Sequence, residues 1–99
     1  MEIETKHEPD RVTYALRGRL DAHQVPRLKE RVEPVTRATL LDLTHVNFID
    51  STALAALINL FKKAREAGVH FSLRGIQDPV RVILEITGLY AILPIEGAE

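Results

Sequence analysis

The sequence predicts a single α/β domain built on a mixed, largely parallel sheet of four or five strands. Three observations lead there. Short apolar segments of period two alternate with longer segments of helical period, in the order β-β-α-β-α-β-α-β, and strands alternating with helices favour parallel pairing. The chain has 99 residues, enough for one core and too few for two. Apolar residues make up 45% and charged residues 27%, an ordinary balance for a globular domain, while aromatics are only 5%, so Leu, Ile, Val and Ala must fill the core.

The elements follow in order. Residues 3–7 suit a first edge strand, and Glu8-Pro9-Asp10 suits a turn, because Pro and Asp both favour one. Val12, Tyr14 and Leu16 alternate with Arg11, Thr13 and Arg17, the mark of a strand with one buried face, and Gly18 ends it. Asp21 can cap the next helix, with Gln24 three residues on in a capping-box-like arrangement and Pro26 in the first turn, where its missing N–H costs little. Val25, Leu28 and Val32 form that helix's inward stripe, Arg27, Lys29, Glu30 and Arg31 face water, and Pro34 stops it.

Residues 39–43 are mostly apolar and suit a strand buried on both faces. After a loop bearing Asp50 and Ser51, a long helix is expected over 52–67, with Leu54, Leu57, Ile58 and Phe61 as its core stripe and Gly68 as a left-handed cap. Residues 69–74 form another strand with Val69, Phe71 and Leu73 on one face. Asp78 reads as an N-cap followed by Pro79 at the first helical position. Val80, Ile83, Leu84 and Thr87 then mark a third helix, ended by Gly88. Residues 92–95 suit a last strand, which Pro94 confines to an edge or an end.

Composition excludes several functions. The formal net charge of −1 makes no electrostatic case for nucleic acid or an anionic membrane. There is no cysteine, so disulfides, thiolate catalysis and Cys-based zinc sites are out. His7, His23, His45 and His70 form no His-x-x-x-His pair and have no clustered carboxylates, so no metal is expected. No Gly-rich phosphate loop occurs, and nothing supplies a nucleophile elbow for a Ser51-based triad. The start of the chain carries no basic, then apolar, leader, and the run 53–61 is too short to cross a bilayer. A cytoplasmic protein with no membrane insertion and no cofactor is the expectation.

The most informative stretch is 42–54, where an apolar strand leads to Asp50 and Ser51 at the start of the long helix. A hydroxyl there lies where backbone N–H groups point outward, and a phosphate on it would add roughly two negative charges. Local chemistry alone favours a plain helix-capping serine. Asp50 could orient the hydroxyl or accept the helix amides, and Asp42 could help to make the site acidic.

The ordered set of motifs resembles STAS domains, especially the anti-sigma-factor antagonists of bacteria. Gly18-Arg19-Leu20-Asp21 is similar to the family's Gly-x-Leu-Asp turn. Leu41-Asp42-Leu43, then Val46-x-Phe48-Ile49-Asp50-Ser51-Thr52, resembles its central strand and phospho-acceptor loop. Ala64-x-x-Ala67-Gly68, Phe71-x-Leu73 and Gly88-Leu89 fall at the expected spacings. The likeness covers nearly the whole of 1–99. Two departures stand out: Ala53 replaces the glycine usual after the phospho-acceptor triplet, so a partner's backbone would meet an extra methyl, and the sequence stops before the C-terminal helix usual after the last strand, so that either the helix is absent or the chain is shortened.

The resemblance implies helices mainly on one face of the sheet and a role as substrate and ligand, not enzyme. It implies an anti-sigma factor that is also a serine kinase as partner, a serine phosphatase that resets the switch, Ser51 as the phospho-acceptor with Thr52 as the alternative, and Asp21, Asp42 and Asp50 around it. Asp50, Ser51, Thr52, Ala53, Ala56 and Leu60 are the expected partner-binding residues, Ala53, Ala56 and Leu60 because they would widen the helix's apolar arc. A weak homodimer fits the same picture. The rival readings are a STAS subunit of a lipid ABC transporter, a scaffold in a stress-signalling assembly, and a small hydrolase using Ser51.

Overall fold

Tyr14, Leu41 and Leu73 sit side by side on three neighbouring strands and face the same way. The computed structural model describes residues 1–97; positions 98 and 99 of the expected domain lie outside the described residues. The strands are β1 (Glu2–His7), β2 (Val12–Leu20), β3 (Thr39–Ile49), β4 (Phe71–Arg74) and β5 (Ile95–Glu96). The helices are α1 (Val25–Val32), α2 (Ser51–Ala67) and α3 (Asp78–Ile86), followed by a short 3-10 turn over Leu89–Ala91. The sheet order is β1-β2-β3-β4-β5, with β1 antiparallel to β2 and every other pair parallel.

One apolar cluster joins Val12, Tyr14 and Leu16 of β2, Leu41 and Leu43 of β3, and Phe71 and Leu73 of β4 to Leu28, Leu57, Leu60 and Leu84 of the helices. All three helices therefore share one face of the sheet, as expected. The opposite face carries Thr13, Leu40 and Ser72, paired across β2, β3 and β4. Thr13 points away from the core but is buried, not water-facing, because Glu8 accepts its hydroxyl at 2.7 Å. Glu96 accepts from Ser72 at 3.0 Å and from Arg11 at 2.8 Å over the same face.

Several boundaries differ from expectation. Gly18 does not end β2: its φ of +104°, open to glycine at little cost, lets the strand bend and continue to Leu20. β3 does not stop at Leu43 but runs to Ile49, so a strand delivers Asp50 where a loop was expected. Between Ala15 and Arg17 of β2, β3 spans Asp42 to His45, and between Gly18 and Arg19 it spans Val46 to Phe48. Each interval holds one extra β3 residue, the mark of a bulge, and bulges break the period-two pattern. The buried positions Leu43, Val46 and Ile49 are therefore three apart, and strict alternation hides the strand.

α1 begins at Val25 with Gln24 as N-cap and no side-chain cap bond, because a turn fills 22–24. α3 likewise starts at Asp78 with Gln77 as N-cap. β4 starts at Phe71, and the last strand is only Ile95–Glu96. Gly68 closes α2 in the left-handed conformation as expected, its amide donating to Ala64 and Arg65. The α2 stripe is rotated from the expected one. Ala53, Leu54, Ala56, Leu57, Leu60 and Ala64 are buried, whereas Ile58 and Phe61 are half-buried.

Candidate functional site

β2 and β3 end together. Leu20 pairs with Ile49, and the Asp50 amide donates to the Leu20 carbonyl at 3.3 Å. Asp21 and Asp50 thus leave adjacent parallel strands at their carboxyl ends, the edge where open α/β sheets place their sites.

Asp50 is extended, with φ −108° and ψ 177°, and serves as the N-cap of α2. Its Oδ1 accepts the Ala53 amide at 2.8 Å, and its Oδ2 accepts the Ala22 amide at 2.9 Å. Its carbonyl accepts the Leu54 amide at 3.0 Å. The Ala53 amide is the main cause that holds the carboxyl below its ordinary range. It outweighs the opposing effect of desolvation, aided by the amides of Ala22 and Thr52 and the charge of Arg19. The Asp50 carboxylate therefore already occupies the Ala53 amide, one of the donors that the helix start offers.

Ser51 and Thr52, the first two residues of α2, are exposed. Asp21 lies close by but caps the turn before α1, not the helix. Its Oδ1 accepts the His23 amide at 3.1 Å, and its carbonyl accepts from Gln24 and Val25. Arg19 Nε lies 3.7 Å from Asp21 Oδ2, and the guanidinium sits 3.8 Å from the centre of the Phe48 ring. The structure thus brings together Asp21, Asp50, Ser51 and Thr52, and adds Arg19 and Phe48. Those two were missed because their contact depends on the strand register, which pairs 19 with 48. The only signal in the sequence is that Arg19 precedes the inward-facing Leu20, which turns it outward.

Asp42 does not belong to this site. Seven strand residues, 43–49, separate it from Asp50, a distance of roughly 20–25 Å at strand rise. Its Oδ1 accepts the Thr44 amide at 3.0 Å and the Thr44 hydroxyl at 2.5 Å, and its Oδ2 accepts from Arg74 at 3.1 Å. Burial would raise this carboxyl, but the bonds from Thr44 and Arg74 outweigh it and the net shift is downward. Asp42 shapes the first bulge of β3.

Ala53, Ala56 and Leu60, expected to meet a partner, are instead 0%, 3% and 0% exposed. They pack into the core because the helix is rotated, and the Ala53 methyl is inside the domain. The face of α2 that continues from Ser51 carries Ala55, Asn59 and Lys62, exposed at i, i+4, i+8 and i+11, beside half-buried Ile58. Among the described residues no group of three or more His, Asp or Glu is placed to hold a metal, and no helix is long and apolar enough to cross a membrane. An open cavity of about 390 Å³, lined by Gly75, Ile76, Arg81, Tyr90, Ile95, Glu96 and Gly97, contains none of the residues of this site.

Known proteins match this chain over nearly its whole length. The STAS domain model matches residues 2–99. An anti-sigma-B factor antagonist of Listeria monocytogenes serovar 1/2a is 34% identical over 102 residues, covering 98% of this chain and 90% of the relative. The crystal structure of an anti-sigma factor antagonist from Mycobacterium paratuberculosis has a TM-score of 0.84 at 20% identity, covering 98% of this chain and 86% of the other. The antagonist SpoIIAA in its unphosphorylated form has a TM-score of 0.79 at 17% identity, covering 95% and 87%. The latter two establish the fold alone. Together with the full-length match, they lead to one conclusion: the chain belongs to the STAS domain family.

Proposed function

We propose that this protein is an anti-sigma-factor antagonist, a binding module that captures an anti-sigma factor and is released by phosphorylation at Ser51. The observation that carries the reading is its full-length likeness to an anti-sigma-B factor antagonist. The exposure of Ser51 at the start of α2, beside the capping Asp50, supports the place of the switch.

In this reading the unmodified protein holds the anti-sigma factor through the rim of Asp21, Asp50, Ser51 and Thr52 and the α2 face of Ala55, Asn59 and Lys62. The anti-sigma factor is also a serine kinase. It transfers the γ-phosphoryl group of ATP to Ser51 Oγ, releasing ADP and the hydroxyl proton. A serine phosphatase hydrolyses the ester with water, returning the hydroxyl and inorganic phosphate. The domain itself performs no chemistry, and the exchange takes place in the cytoplasm. A dianion placed in a packed interface meets desolvation and the two nearby carboxylates, so the complex comes apart without refolding. The transporter reading is not favoured: a sulfate transporter family protein of Wolinella succinogenes matches with a TM-score of 0.76 but at 21% identity, which speaks only to the fold.

The test is a pull-down from the host lysate with wild type, Ser51→Asp and Ser51→Ala, partners and modified residues being read by mass spectrometry. Wild type and Ser51→Ala should recover a serine kinase of the anti-sigma type, Ser51→Asp should not, and phosphate should map to Ser51. Equal recovery by wild type and Ser51→Asp, or phosphate at Thr52 with Ser51 unmodified, overturns the assignment of the switch.

A further inference from the structure

We propose that Arg19 is the internal receiver of the phosphate on Ser51: held on the Phe48 ring, its guanidinium turns from Asp21 to the phosphate when Ser51 is modified. The inference rests on the reading of Ser51 as the modified hydroxyl and adds the residue that answers it.

The chemistry at the end of β3 leaves a phosphate few other partners. The amides of Ala53 and Ala22 are already bonded to Asp50. The carboxylates of Asp50 and Asp21 stand beside the hydroxyl, and a group carrying roughly two negative charges needs a cation there. Arg19 is the cation whose charge reaches Asp50. The register pairs Arg19 with Phe48, and Ser51 lies three residues further on, about 10 Å of extended chain. That gap is within the combined reach of an arginine and a phosphoserine side chain.

Arg19 is also free to turn. Its side chain is 63% exposed, and its contact with Asp21 is long, at 3.7 Å through Nε alone. Such an exposed pair is weak, whereas a guanidinium takes two phosphate oxygens at once through its fork. The Phe48 ring, 3.8 Å from the guanidinium, holds the cation at the edge of the site before the phosphate arrives. Modification therefore changes the surface at two places: a phosphate–arginine pair forms at Ser51, and Asp21 loses its counter-charge.

The test installs phosphoserine at position 51 during translation and titrates it by phosphorus NMR, in wild type and in Arg19→Gln, Arg19→Lys and Arg27→Gln backgrounds. A nearby cation favours the dianion, so removing it raises the second phosphate pKa. Arg19→Gln should raise the midpoint by a few tenths of a pH unit, the size set by an exposed ion pair. Arg19→Lys should keep part of the effect, and Arg27→Gln should match wild type. Superimposable curves for wild type and Arg19→Gln, or an equal shift from Arg27→Gln, overturn the proposal. The phosphate is supplied without a kinase, so the two failures are distinguishable: superimposable titrations overturn Arg19 and leave the switch standing, whereas a failed pull-down overturns the switch whatever the titration shows.

Discussion

The backbone amide of Ala22 donates to the carboxylate of Asp50 at 2.9 Å, across 28 residues of sequence. The other oxygen of the same carboxylate caps α2 through Ala53. One side chain therefore fixes the turn after β2 against the start of α2, and this sets the position of Ser51 relative to Asp21 and Arg19.

Removing that carboxylate should loosen both elements. Asp50→Ala is expected to lower Tm by about 5 °C, the loss typical of a deleted N-cap in a domain of this size. Asp50→Asn keeps only one of the two acceptors and should fall between. The folded carboxyl titrates below its unfolded value of about 3.9, so its contribution is complete above that pH and is lost as pH falls through the folded pKa. Thermal unfolding followed by circular dichroism from about pH 2 to 7 should show the gap between wild type and Asp50→Asn constant near neutrality and narrowing below about pH 4. A gap that widens on acidification would contradict the assignment.

Leu60 is part of the core, so truncating it should act on stability. Leu60→Ala is expected to cost about 2–5 kcal/mol by urea denaturation, with unchanged partner affinity once the folded fraction is taken into account. Ala55→Arg, on the exposed face of α2, should do the opposite: little change in unfolding and a clear loss of binding by calorimetry.

Gly75 lies against the first bulge of β3. Its φ is +73°, and a Cβ there would meet the Thr44 hydroxyl and come within 2.9 Å of the Thr44 amide nitrogen. Gly75→Ala should therefore cost about 2 kcal/mol or more, from the left-handed backbone together with the displaced bulge. Equilibrium unfolding would measure it.

Asp42 separates fold from function in the same way. Asp42→Ala removes the acceptor of Thr44 and Arg74 and is expected to cost about 1 kcal/mol. Lying roughly 20–25 Å from Asp50, it should leave phosphorylation at Ser51 unaltered when labelled protein is mapped by mass spectrometry.

The sequence by itself determined the class of fold, the order of its elements, the cap at Gly68 and the delivery of Asp50 and Ser51 to the start of the long helix. These rest on local patterns: apolar periodicity, turn residues and capping chemistry act over a few residues and are visible without the rest of the chain. Only the tertiary structure decided which face of α2 is buried, because Ala53, Ala56 and Leu60 are apolar in either case and the packing of the helix on β4 and α1 selects among them. It also decided the length of β3, since two bulges break the pattern that marks a strand, and the exclusion of Asp42 from the site, since that same strand carries Asp42 away from Ser51. The Arg19–Phe48 contact and the double use of Asp50 belong to this second group: each joins residues distant in sequence, and only the parallel register of β2 and β3 brings them together.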